Sequence, residues 1–249
     1  GKLGSIDREY SLRQLIRRIV TQIGKWGGEH GYFPSNAEKL STERVIFEEE
    51  IAYLLLNQIS CFNSPVLFNA GLNRKQIMSA CFINSLKDSM NDIMDLAVRE
   101  SNIFRGGSGA GTNFSNLRAT GEPLSQGGAS SGALSFMKAL DKMAGAIRSG
   151  GVTRRSAKMA ILDDNHPECL DFIKSKVKEE DKAQALIKAG FNGSIDGDVY
   201  LTLSFQNENH SVRISDAFME KVEADDYWCL LNRVDGSISK KIKAREMFR

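Results

Sequence analysis

Between Glu9 and Trp26 apolar residues recur at Leu12, Leu15, Ile16, Ile19, Val20 and Ile23, the three-and-four spacing that lays one apolar stripe along a helix. Arg13, Arg17 and Arg18 fall off that stripe and predict its wet side. In a second helical pattern, Ser41 or Thr42 offers a capping hydroxyl, Glu48, Glu49 and Glu50 lie early, and Ile51, Leu54, Leu55 and Ile59 form the expected buried stripe. Residues 27–35, containing glycine and proline, read as the link between the two. Beyond Ser60 the texture changes. Short β-like runs at 76–83, 158–162 and 199–205 alternate with helical patterns at 91–104, 132–148 and 216–222, the rhythm of an α/β or α+β domain. Ile242, Ala244, Met247 and Phe248 predict a last helix over 240–249 with no capping glycine; with glycine rather than methionine at position 1, the chain reads as a fragment. The pattern thus predicts a helical region over 1–60 and an α/β region over 61–249.

Composition narrows the function classes. The chain has 249 residues, 41% hydrophobic and 26% charged, enough apolar material for one large or two small cores and too much for disorder. Lys plus Arg number 33 against 31 Asp plus Glu, so no global positive field points to nucleic acid and any anion site must be local. The scattered aromatics give no stacking platform for single strands either. The longest apolar stretch, around Ile51 to Leu56, is too short to cross a bilayer and the N-terminus lacks a signal-peptide pattern, so a soluble, cytoplasmic protein is expected. Cys61, Cys81, Cys169 and Cys229 form no C-x-x-C pair, and His30, His166 and His210 add no zinc-type spacing, so no metal site is assigned and separate reduced thiols are expected.

Three stretches, 106–112, 120–132 and 149–156, read as loops of unusual composition. Arg105-Gly-Gly-Ser-Gly-Ala-Gly-Thr112 permits close backbone approach and positive φ, as a phosphate or ribose contact requires. It follows a helix and precedes no Gly-Lys-Ser/Thr, so it is neither a dinucleotide fingerprint nor a P-loop; a turn packed on neighbouring backbone satisfies the same composition. Arg148 to Ser156 joins Gly150 and Gly151 to the adjacent guanidinium forks of Arg154 and Arg155, suited to phosphate or simply to solvent. Asp88-Ser89 stands just before a helical pattern, where capping is the default role and a ligand hydroxyl bound by Asp88 is the alternative. Cys81, within Met78-Ser-Ala-Cys-Phe82, reads as a small core residue or as a redox thiol.

Several runs then follow one another in order: Gly31-Tyr-Phe33; Phe62-Asn-Ser-Pro-Val-Leu-Phe-Asn-Ala-Gly71; Ser79-Ala-Cys-Phe-Ile-Asn84 with Asp88-Ser-Met90; Gly106-Gly-Ser-Gly-Ala-Gly-Thr-Asn113 with Leu117-Arg118; Ser131-Gly-Ala-Leu-Ser-Phe-Met137; Ser149-Gly-Gly-Val-Thr-Arg-Arg155 with Ile161-Leu-Asp163 and His166-Pro167; and Phe205-Gln-Asn-Glu-Asn-His-Ser-Val212. Together, from about Tyr10 to Phe248, they make the chain resemble the adenosylcobalamin-dependent (class II) ribonucleotide reductases. The resemblance implies an α/β fold: a helical N-terminal layer followed by the first half of a ten-stranded α/β barrel. It implies reduction of a ribonucleoside di- or triphosphate by thiyl-radical chemistry initiated at the cobalt-carbon bond, with a cysteine pair as reductant and thioredoxin or glutaredoxin restoring the pair.

Position by position, Cys81 matches the first cysteine of the reducing pair. Ser64, Ser79 and Ala80 match substrate-contacting segments, and Gly106, Gly107, Ser108 and Gly109 the backbone beside the ribose. Asp88, Ser89 and Met90 match the segment that holds a deoxynucleoside triphosphate effector, Asp88 accepting from its sugar hydroxyl, with Arg105 and Arg118 near its phosphates. Residues 120–132 correspond to the first specificity loop, and 149–156, with Gly150, Gly151, Arg154 and Arg155, to the second. One departure stands out: no cysteine here has Asn two before and Glu two after, the pattern of the family's radical cysteine. That cysteine, the partner of Cys81, the remaining strands and the cysteine-bearing tail are expected beyond Arg249, so the chain by itself is expected to be inactive and to need that C-terminal remainder; a homodimer is compatible with the pattern. Adenosylcobalamin is expected in the complete enzyme, with no contact residue assigned. A class I large subunit and a non-catalytic deoxynucleotide-binding module are the alternatives.

Overall fold

The structure is a computed structural model that describes residues 8–34, 37–72, 77–147, 156–194 and 197–249; in the second stretch side chains are described from Thr42 on. The chain divides into two compact units, Gly1–Ala80 and Cys81–Arg249, so residues 61–80 group with the helical part rather than with the sheet.

In the first unit, helix α1 (Leu12–Glu29) starts at a capping box: the Gln14 amide donates to Ser11 Oγ at 3.2 Å and the Ser11 amide to Gln14 Oε1 at 3.2 Å. Ile16, Ile19 and Val20 are buried as the spacing predicts. Arg18 departs from its expected wet position: it pairs with Glu9 at 2.7 Å and donates to the carbonyls of Leu67 and Ala70, satisfying backbone acceptors that helix α3 (Ser64–Asn69) leaves open. Helix α2 (Ala37–Leu56) begins before Ser41 and Thr42, so neither caps it. Ile51 and Leu55 are half-buried, but Leu54 is exposed, and Ile59 lies past the helix end and is also exposed.

The second unit is built on a four-stranded parallel sheet in the order β1 (Cys81–Asn84), β2 (Gly109–Asn113), β3 (Ala157–Asp163), β4 (Glu208–Arg213). The connections are α4 (Met90–Arg105), α5 (Ala133–Ala146), and α6 (Cys169–Lys188) with α7 (Asp198–Thr202). Because the order never reverses, crossovers of one hand place the helices on one face. Their core joins Ile93, Leu96 and Ala97 of α4, Met137 and Leu140 of α5, Cys169 and Phe172 of α6, and Ala160 and Leu162 of β3. Helix α8 (Asp216–Glu223) follows, then an antiparallel hairpin of β5 (Tyr227–Leu231) and β6 (Ile238–Lys243), then α9 (Ala244–Phe248).

Several expectations change. The 199–205 run is not a strand: Val199 and Leu203, four apart, bury against Ala183 as a helical turn, and the strand begins at Glu208. Gly109–Asn113, expected in a loop, is strand β2 in mid-sheet, because backbone pairing on both sides needs no side chain. Residues 240–243, expected as helix, pair with β5, Lys241 opposite Cys229 and Lys240 opposite Leu230; the helix starts only at Ala244. Helix α6 has a broken stripe that includes Ser175, and it escaped the periodicity reading.

Candidate functional site

The strand register sorts side chains onto two faces. One face carries Ala110, Thr112, Lys158, Ala160, Leu162 and Glu208, all buried under the helices. The other carries Cys81 and Ile83 of β1, Gly109 and Gly111 of β2, Ala157 and Met159 of β3, and Asn209 and Ser211 of β4. Ile83 is 94% and Met159 43% exposed, so this second face is uncovered. Parallel sheets are ordinarily buried on both faces, and an uncovered one is a surface awaiting contact.

On this face Cys81 begins β1 with its thiol exposed, paired in register with Gly109; Ile83 pairs with Gly111. The strand beside the thiol therefore carries no side chain at these two positions, Gly109 being buried and Gly111 half-buried. A Cβ at Gly111 would meet only the Met159 Cβ, at 3.9 Å, so packing within this unit does not require glycine there; its effect is to leave room. Upstream, Gly106 ends α4 and Gly107 turns with φ 83°, while Ser108 is buried. Of the positions expected near a ribose, Gly109 alone lies in the sheet beside Cys81. At the carboxyl ends of the strands Asn113 donates to Asp163 at 2.9 Å and Arg213 to the other Asp163 oxygen at 2.7 Å.

Beneath the sheet lies a charge cluster that the pattern reading missed. Lys158 Nζ donates to Glu100 of α4 at 2.9 Å and stands 4.0 Å from Glu208; Thr112 donates to Glu100 at 3.3 Å, and His210 meets Glu208 at 2.8 Å. Burial pushes the Glu100 carboxyl above its ordinary range, against the opposing pull of Lys158. A lysine inside an otherwise apolar β run was the available signal.

A second constellation forms at the start of α4. Ser89 caps the helix, accepting from the Asp92 amide at 3.2 Å, and Met90 is exposed. Asp88 accepts from Arg118 Nε at 2.6 Å, and Arg118 Nη1 donates to the Pro123 carbonyl at 2.8 Å. The structure thus brings together Asp88, Ser89, Met90 and Arg118. Arg105 lies at the far end of the same helix, about 22 Å away by the helical rise. Residues 120–132 fold back as a small hairpin with Pro123 bridged to Ala129. In the first unit, Ser64 is the first residue of α3, capped by Asn63, and Ser79 and Ala80 precede β1. Gly150, Gly151, Arg154 and Arg155 lie outside the described residues. Among the described residues, no group of three acidic, histidine or cysteine side chains is placed to hold a metal ion, and no helix is long and apolar enough to cross a membrane.

Residues 79–247 match a family profile described as ribonucleotide reductase, barrel domain, and residues 3–58 one described as class II vitamin B12-dependent ribonucleotide reductase. A vitamin B12-dependent ribonucleotide reductase of Streptomyces avermitilis is 49% identical over 100% of this chain and 25% of its own length. One from Rhodopirellula baltica is 41% identical over 88% of the chain and 23% of its own length. A vitamin B12-dependent ribonucleoside-diphosphate reductase of Thermoplasma acidophilum is 37% identical over 75% of the chain and 21% of its own length. The chain thus spans about a quarter of the length of the curated relatives it matches.

Proposed function

The chain belongs to the class II, vitamin B12-dependent ribonucleotide reductases, and from that premise we propose that it is the N-terminal part of an enzyme converting ribonucleotides to 2′-deoxyribonucleotides. The observation that carries this reading is the exposed Cys81 thiol at the start of β1, in register with the buried Gly109 and close to the half-buried Gly111, whose missing side chain leaves room on that sheet face. The room left at Gly111 lets a sugar approach the sheet with the thiol nearby. Cys81 then serves as one of two thiols that deliver electrons to the substrate and close to a disulfide, later opened by a thioredoxin- or glutaredoxin-type reductant. The name of the Thermoplasma relative favours a ribonucleoside diphosphate as substrate.

The uncovered face supports the reading of the sheet as part of a ten-stranded barrel. An order that never reverses, with helices on one side, is the pattern of a closing barrel rather than of a doubly wound sheet. Ser64, Ser79 and Ala80 are proposed to approach the substrate. Asp88, Ser89 and Met90 are proposed to hold a deoxynucleoside triphosphate effector, with Arg118 near its phosphates. Arg105 has less support, because α4 separates it from Asp88. The match of residues 3–58 to the class II profile argues against the class I alternative.

Vitamin B12 supplies radical initiation when bound. The uncovered face presents a thiol, small and aliphatic side chains and backbone near Cys81, and these do not make a corrin pocket, so no step is assigned to this chain through the cofactor. No described cysteine has the Asn-x-Cys-x-Glu surroundings of the family's radical residue either, and residues 1–249 alone should not turn over. In the full-length protein, Cys81→Ser should lower multiple turnover with a dithiol reductant by about a hundredfold or more. Undiminished deoxynucleotide formation would overturn the assignment.

A further inference from the structure

Arg118 is held at its backbone by neighbours on either side and at its tip by two partners. The carbonyl of Leu117 accepts from the buried His166 Nε2 at 2.9 Å, and the Ala119 amide donates to the buried Glu122 carboxylate at 2.7 Å. With both flanks hydrogen-bonded, a change of partner at Arg118 falls to its side chain. Its guanidinium joins two elements, donating to Asp88 at the start of α4 and to the Pro123 carbonyl in the 120–132 hairpin. Beyond Pro123 the hairpin is exposed from Leu124 to Ala129. Its root does not depend on Arg118: the second Glu122 oxygen accepts from the amides of Arg233 and Val234 at 2.8 and 2.9 Å. The tip keeps its own turn, the Leu124 amide donating to the Gly128 carbonyl at 3.1 Å, so loss of the Arg118 contact would untie the hairpin from α4 at Pro123 and leave its base in place.

Asp88 cannot give the same oxygen lobe to Arg118 and to an incoming hydroxyl at full strength. The pair is partly open to water, with side-chain exposures of 22% for Arg118 and 30% for Asp88, so a ligand can reach and replace it. We infer that the Asp88–Arg118 ion pair is a latch that closes the effector-free site and reports its occupancy to the 120–132 hairpin; this rests on the reading of Asp88 as the effector's sugar contact. In the latched form Arg118 bridges Asp88 and Pro123. When a deoxynucleotide's sugar hydroxyl takes the Asp88 oxygen, the guanidinium turns to the phosphates and gives up the Pro123 carbonyl. A ligand shifts such an equilibrium only by binding one state better than the other. Phosphates supply that difference by offering Arg118 a new anion, and a neutral deoxynucleoside does not.

The test is equilibrium binding to the full-length protein of the four deoxynucleoside triphosphates and of the four corresponding deoxynucleosides. Arg118→Gln should bind deoxynucleosides about two- to fivefold more tightly than the parent, since it loses the competing ion pair, and triphosphates about tenfold more weakly. In the parent protein, added salt should strengthen deoxynucleoside binding while weakening triphosphate binding, an arm that stands even if the variant fails to fold. Deoxynucleoside binding that is unchanged or weaker in Arg118→Gln, or that weakens with salt in the parent, would overturn the latch. Asp88→Asn separates the two ideas: lost binding of both ligand classes upholds the site, whereas full binding would overturn the site reading itself.

Discussion

Identical side chains acquire different chemistry from their surroundings. Burial at the start of α6, reinforced by the nearby Asp164 and Asp163 carboxylates, pushes the Cys169 thiol up to about 12, whereas Cys61 and Cys81 are exposed. Since the thiolate is the reacting form, brief alkylation of the folded chain should label Cys61 and Cys81 at least about a hundredfold faster than Cys169. Peptide mass analysis reads this directly, and equal labelling would contradict the open sheet face. His166 offers a second measurement. Its Nε2–H donates to the Leu117 carbonyl and its Nδ1 accepts from the Glu168 amide at 3.1 Å, so the ring is neutral as hydrogen-bonded, and burial lowers its pKa. The unfolded chain takes up a proton near pH 6.5 that the folded chain resists, so stability from this group is complete above about pH 7 and declines as pH falls below about 6.5. Thermal melts should show that decline reduced in His166→Gln relative to the parent; an unchanged slope would exclude His166 as its source. The resemblance to the reductases marked Cys81 as a redox candidate, whereas its apolar setting fitted a core residue, and its exposure on the uncovered face speaks against the core reading.

Elements were legible where one face is uniformly buried. The stripes of α1, α4, α5 and α8 and the run of β3 follow their periods. Elements held by other means were not: β2 is a glycine strand fixed by its neighbours, β6 is a run of lysines paired with β5, and α7 is a single turn whose valine and leucine suggest a strand. The cluster beneath the sheet belongs to this scale, because Lys158 joins β3 to Glu100 of α4 and faces Glu208 of β4. Lys158→Met leaves Glu100 buried without its cation and should cost about 3–5 kcal/mol in denaturant unfolding, whereas Lys158→Met with Glu100→Gln should recover much of that loss. Additive losses would mean that the two side chains do not interact.

In the second unit as a whole, a singly wound parallel sheet is covered on one face only. Ile83 and Met159 stand out from the bare face, and β1 is an unpaired edge among the described residues. Such a surface associates with whatever apolar partner is available. Residues 1–249 expressed alone should therefore self-associate, and Ile83→Ser with Met159→Ser should shift light scattering toward the monomer; a stable monomer in both would refute the argument. The amphipathic helices, the α/β alternation, the absence of a P-loop and the ordered runs that resemble the reductases were determined by sequence alone, because periodicity and short motifs are local properties. Which face of the sheet stays bare, that Cys81 sits on it beside glycine backbone, that Asp88 is paired with Arg118, and that Lys158 bridges two acids were decided by tertiary structure. Each of those facts joins residues distant along the chain, and only strand register and helix packing bring them within bonding distance.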